Sequence, residues 1–106
     1  LERIQASGAT AVFTYNDLMG IGLIRAAAKR GIKVPEQLSI IGFDNIFGSD
    51  FTSPPLTTIE MPLEVIGGNA VLALLKTFEA TDDAVPHGSN ESTSLLVRGS
   101  TAEAKA

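Results

Sequence analysis

Residues 11–45 read AVFTYNDLMGIGLIRAAAKRGIKVPEQLSIIGFDN, and this stretch decides the fold. Ala11 to Tyr15 is a short run rich in β-forming residues, and Asn16-Asp17 after it offers side-chain acceptors suited to a helix N-cap. From Leu18 to Arg30 every residue tolerates a helix except Gly20 and Gly22, and Gly31 stops it. A connection from Ile32 to Leu38 carries Pro35. Ser39 to Phe43 is then apolar on both faces, as a central parallel strand is, and ends at Asp44-Asn45. Strand, helix and strand within about 33 residues make a βαβ unit, which brings parallel strands and a right-handed crossover. The expected class is α/β with a parallel sheet.

Working outward, Leu1 to Gly8 reads as the last turns of a helix closed by a glycine, with no start signal and no initiator methionine before it. That opening is expected of a piece of something longer. Downstream, Ile46 to Pro55 is less regular and reads as one helical turn before the Pro54-Pro55 break. Leu56 to Glu60 is a third extended segment, and Pro62 sits where the first turn of a helix accepts proline. The clearest periodicity follows: Leu63, Ile66, Gly67, Ala70, Val71, Leu74, Leu75 and Phe78 share one helix face, opposite Glu64, Asn69, Lys76 and Glu79. Thr81 to Ser92, with Pro86 and Gly88, reads as a polar surface loop. Ser94 to Arg98 is a last strand, and the tail beyond Thr101 is expected to fray.

Composition excludes several function classes. Apolar residues are 44% and charged residues 19% of the chain, which permits a packed core and argues against global disorder. No apolar run approaches the roughly 20 residues that span a bilayer, and no basic-then-apolar leader opens the chain. The absence of cysteine removes disulfides, thiolate metal sites and cysteine nucleophiles. Eight basic and twelve acidic residues give a net charge of -4 with no dense Lys/Arg cluster. Phosphate neutralisation supplies most nucleic-acid affinity, so this stretch is not expected to hold DNA by itself.

Asn16 and Asp44 carry the sharpest functional reading. Each ends a parallel strand, and open α/β sheets bind ligands at that carboxyl edge. A carboxylate that accepts and an amide that both donates and accepts suit the hydroxyls of a sugar or the polar groups of a base. The competing reading is that both residues only cap helices or turns. Asp17 reads as an N-cap or first-turn acid favourable to the helix dipole. A magnesium site on Asp17 and Asp44 would serve phosphoryl transfer, but the chain has no P-loop lysine, no Gly-rich phosphate cradle and no third carboxylate in step. Gly20-Ile21-Gly22 lies inside the helix, so it is no dinucleotide fingerprint. His87 is a lone loop histidine that reads as solvated surface, and no serine has a visible triad partner. No cofactor, metal or catalytic residue is expected.

The helix from Asp17 to Arg30 is apolar on two sides. Leu23, Ile24 and Ala27 suit packing on a sheet; Leu18, Ile21 and Gly22 lie roughly opposite, with Arg25 and Lys29 further along. Such a helix is either buried beneath the loop from Ile46 to Phe51 or holds a partner, and a subunit contact is the reading favoured here.

At these residues the chain resembles the lactose-repressor (LacI/GalR) family of bacterial regulators. TAVFTYNDLMGIG (residues 10–22) is similar to the family's run from strand into dimerisation helix, and GIKVPEQLSIIGFDN (31–45) to its next segment. PPLTTIEMP (54–62) and LVRGST (96–101) follow in the family's order, so the likeness runs from about Thr10 to Thr101. The resemblance implies a periplasmic-binding-protein-like core of two lobes, with a helix-turn-helix headpiece and hinge helix elsewhere in the protein. This chain would match the last third or so. It implies that residues 1–56 belong to the C-terminal lobe, that 57–92 cross to the other lobe with a long helix, and that 93–106 return. It further implies effector contacts by Asn16 and Asp44, a homodimer contact by Leu18, Ile21, Arg25, Phe51 and Thr52, and operator DNA held only through the headpiece in the cytoplasm. Asn45 stands where a second Asp is common in the family, which removes one acidic group near the pocket, and Gly20 stands where Ala is common. A periplasmic binding protein or sensor module of the same core is the alternative. Separated from its lobe, the Leu63/Ile66/Ala70/Leu74 stripe would lack its partner, leaving the piece marginal, aggregating or docked on another chain.

Overall fold

A computed structural model describes residues 1–78 and 91–104. The order of elements is α1 (Glu2–Ser7), β1 (Ala11–Phe13), α2 (Asp17–Lys29), β2 (Ser39–Phe43), β3 (Thr57–Glu60), α3 (Leu63–Phe78) and β4 (Ser94–Leu96). The four strands form one sheet in the order β1-β2-β3-β4. β1, β2 and β3 are parallel, with Phe13 opposite Ile41 and Phe43 opposite Ile59; β4 runs antiparallel to β3. The class is α/β with a parallel-dominated sheet. The chain divides into two compact units, Leu1–Glu60 with Ser94–Ala106, and Met61–Thr93.

In the first unit the local signals do what their chemistry requires. Gly8 adopts φ 71 and closes α1. Asn16 is the N-cap of α2, its side chain accepting from the Met19 N–H at 3.0 Å. The other end of α2 closes with Gly31 at φ 69: its N–H donates to Ala28 O and that of Ile32 to Ala27 O, a Schellman arrangement. Ile32 then packs against the core formed by Ile24, Leu38, Ile40 and Leu56.

α2 and β2 approach closely because Gly42 carries no side chain. A Cβ there would overlap the Asp17 carboxylate and come within 2.9 Å of Leu56. Gly20 is similarly tight: a Cβ would stand 3.0 Å from Leu56 and 3.2 Å from the Thr14 hydroxyl. Alanine at this position would therefore require Leu56 to shift.

After β4 the chain returns beside β2 and β3. The Ser100 hydroxyl, fully buried, donates to Ile40 O at 2.6 Å and accepts from Thr57 N–H at 2.7 Å. One side-chain oxygen thereby joins two strands.

Two expectations need correction. Ile46 to Pro55 holds turns and no helical turn: Ser49 N–H reaches Ile46 O and Phe51 N–H reaches Gly48 O, with Gly48 at φ 93 breaking any helical continuation. The last strand stops at Leu96, because the Arg98 N–H turns to the Thr57 hydroxyl at 2.9 Å.

In the second unit, α3 spans Leu63–Phe78 as its periodicity predicts, and none of its residues is buried. Leu63, Val71, Leu74, Leu75 and Phe78 are all exposed. Glu79, His87 and most of the segment read as a polar loop lie outside the described residues, as do the last two residues of the tail.

Candidate functional site

The carboxyl ends of β1, β2 and β3 bring Asn16, Asp44 and Glu60 to one edge of the sheet. Phe13 pairs with Ile41 in register, and Asn16 and Asp44 each follow three residues later. Asn16 is half-buried. Its carbonyl oxygen is committed to the cap of α2, while its amide nitrogen has no hydrogen bond among the described residues. The capping reading of Asn16 therefore holds for one end of the side chain and leaves the donor end available.

Asp44 stands in an unusual backbone position, with φ 102, and Asn45 follows at φ 50. Two successive non-glycine residues in the left-handed region are costly and persist where surrounding bonds over-determine them. Here they do. Asp44 N–H donates to Ile59 O at 2.9 Å, Asn45 N–H to the Thr58 hydroxyl at 3.4 Å, and Ile46 N–H to an oxygen of Asp17 at 2.9 Å. The Asp44 carboxylate itself, half-buried, has no hydrogen bond or ion pair among the described residues. It is an acceptor with its capacity unspent, and no buried side-chain polar atom among those residues is left unpaired elsewhere.

Asp17 is the acid in the first turn of α2, as the sequence suggests. It is fully buried: one carboxylate oxygen accepts from the Thr58 hydroxyl at 2.5 Å and the other from Ile46 N–H. Those bonds tie the start of α2 to β3 and to the turn after β2. Each oxygen of Asp17 thus accepts one bond from within the fold.

Sequence reasoning missed a second set of residues behind the Asp44 turn. The Arg98 guanidinium donates to the Ser49 hydroxyl at 2.9 Å, to Leu56 O at 3.0 Å and to Asn45 Oδ1 at 2.7 Å. Asn45 passes the connection on, its Nδ2 donating to Glu60 at 2.8 Å. An amide suits position 45, because it can serve a guanidinium and a carboxylate at once, whereas an ionised Asp could not donate to Glu60. The one signal available was Thr57-Thr58, two successive hydroxyls in the extended segment from Leu56 to Glu60.

The residues expected at a subunit contact divide between two places. Leu18 is 67% exposed on α2, with exposed Arg25 and half-buried Ile21 on the same helix. Ile21 also packs on the core cluster, so it serves the inside as well. Phe51, 71% exposed, sits on the turn segment, where its ring meets that of Phe47 edge-on at 5.3 Å. Thr52 is half-buried and its hydroxyl is spent on the carbonyls of Ser49 and Pro54. Apart from the sheet edge, an apolar groove of about 470 Å³ lies between α1, β1 and α2, lined by Ile4, Phe13, Met19 and Leu23 among others. Thr14, Tyr15 and Arg30 are its polar lining residues, and it contains neither Asn16 nor Asp44.

The family model for the periplasmic binding protein-like domain matches residues 1–101. The chain belongs to that family. The HTH-type transcriptional repressor CytR of Escherichia coli (strain K12) is 47% identical to it over 93 residues, which is 87% of this chain and 27% of the repressor. Among solved structures, the E. coli transcriptional repressor AscG superposes with a TM-score of 0.79 at 31% identity, over 93% of this chain and 36% of that one. A LacI family transcriptional regulator from Lactobacillus casei with bound sucrose superposes with a TM-score of 0.75 at 29% identity, over 87% of this chain and 33% of the other. The family member described here thus spans about a third or less of these relatives. It is homologous to transcriptional repressors, and among its described residues no helix is long and apolar enough to cross a membrane.

Proposed function

We propose that this chain is the effector-binding and dimerisation portion of a LacI-family transcriptional regulator. It takes a small molecule of the sugar or purine type at the edge formed by Asn16 and Asp44. The observation that carries the reading is the Asp44 carboxylate: half-buried, held by a strained turn at a strand's carboxyl end, and without a protein partner among the described residues. A strained, fully determined backbone beneath an unspent acceptor is what a ligand-facing group requires. The sucrose bound to the L. casei relative supports the ligand class.

The chain acts by binding and carries out no chemical step. In the whole protein it works in the cytoplasm as a homodimer through Leu18, Ile21 and Arg25 of α2 and the Phe51-Thr52 turn. Operator DNA is held by a separate headpiece. Effector binding shifts the population between two arrangements by its differential affinity for them.

A thermal-shift screen of the full-length protein against sugars, sugar phosphates and purines tests this, run beside Asp44→Ala. A compound that raises the melting temperature of the wild type and leaves Asp44→Ala unmoved is the expected result. A compound that stabilises both proteins equally places the ligand elsewhere and refutes the site.

A further inference from the structure

We propose that Arg98 is the positioning residue of this edge: it holds Asn45, and through Asn45 it fixes the left-handed turn that aims the Asp44 carboxylate. The binding role of Asp44 rests on the function proposed above, whereas the geometry behind it involves other residues and stands by itself.

Asp44 cannot set its own direction. Its carboxylate touches no described partner, and φ 102 is a backbone state that an aspartate leaves unless its neighbours prevent it. Beside the backbone bonds of residues 44–46, the turn is held through the side chain of Asn45, which makes three hydrogen bonds: Oδ1 accepts from Arg98 at 2.7 Å and from the Ser49 hydroxyl at 3.3 Å, and Nδ2 donates to Glu60 at 2.8 Å. Ser49 is almost wholly buried and is itself held by Arg98. Arg98 is therefore the common member.

Its planar fork reaches Asn45 with one nitrogen while the other is anchored to Ser49 and to Leu56 O. A lysine has one point of charge and cannot reproduce that spread of donors. Arg98 also lies just after β4, and Glu60 ends β3, so Asn45 is gripped from the two strands through which the chain leaves and re-enters the first unit.

The test reads the backbone at Asp44 directly, with no ligand needed. Three-bond HN–Hα couplings and Cα and Cβ shifts of Asp44 and Asn45 are measured by NMR on the full chain. Wild type is compared with Arg98→Leu, Arg98→Lys, Asn45→Ala and the Arg98→Leu/Asn45→Ala double variant. The left-handed signature at Asp44 is expected to be lost in each single variant and to change no further in the double, as two residues acting in one line require. The affinity for the compound found in the screen, or for sucrose as the reference sugar, falls roughly tenfold or more in the same variants. A left-handed signature at Asp44 that survives Arg98→Leu, with only the melting temperature lowered, overturns the proposal. If Arg98→Leu does not fold, Arg98→Lys and Asn45→Ala decide it on the same signature. A ligand that binds Asp44→Ala normally refutes the binding function and leaves the positioning result untouched, so the two failures are distinguishable.

Discussion

At Asp17 a carboxylate with no exposed surface holds together three parts of the first unit, and its energetics follow from what it accepts. Asp17→Ala leaves the Thr58 hydroxyl and the Ile46 N–H buried without their acceptor, at about 1–3 kcal/mol for each donor. Asp17→Asn costs less than half of that, because the hydroxyl of Thr58 can rotate to accept from the new amide. Urea unfolding of the two variants checks the order; an Asp17→Ala protein within about 0.5 kcal/mol of wild type contradicts it. Gly42→Ala tests the same contact from the strand side. Its methyl group meets the Asp17 carboxylate and Leu56, so a loss of about 1–3 kcal/mol is expected from overpacking.

In the sequence Asp17 reads as an N-cap or first-turn acid and Asp44 as a strand-end residue, and both stand at those places in the structure. The place of Asp44 at the sheet edge could be read because strand ends and turn residues are local signals. The burial of Asp17 could not, since its partner Thr58 lies 41 residues further on. Arg98 and Asn45 are 53 residues apart, a pairing that no periodicity encodes.

Among elements, α2 is the one whose two faces do different work. Ile24 and Ala27 are buried against the sheet, and Leu18 and Arg25 face outward. The two-sided pattern was legible because a helix repeats every 3.6 residues; the intermediate state of Ile21, which touches the core from the flank, was not. Leu18→Asp separates the two roles. Its side chain is 67% exposed, so folding stability of the chain should change by no more than about 0.5 kcal/mol, while self-association of the full-length protein is lost. Analytical ultracentrifugation gives the answer: a Leu18→Asp protein that remains dimeric moves the subunit contact away from α2.

Over the whole molecule, the two units differ in how they meet water. The first has a core of Ile24, Leu38, Ile40 and Leu56 and a polar network from Asp17 to Arg98. The second presents an apolar helix none of whose residues is buried. Contiguous exposed apolar surface of this kind drives association. The 106-residue chain is accordingly expected to elute from size exclusion as self-associated species, and a stable monomer of 11.1 kDa contradicts that expectation. The span of α3 from Leu63 to Phe78 was legible, because a long strongly periodic segment is the clearest signal a sequence carries.

In the function proposed here, Asn16 and Asp44 hold one ligand together. Isothermal titration of the compound identified by thermal shift, into full-length wild type, Asn16→Ala and Asp44→Ala, tests it most directly. Removing an acceptor that bonds a buried ligand group costs about 1.5–3 kcal/mol, so affinity should fall on the order of tenfold to a hundredfold with Asp44→Ala. Asn16→Ala should weaken binding by a smaller factor, since one end of that side chain caps α2. Unchanged affinity in both variants would contradict the site.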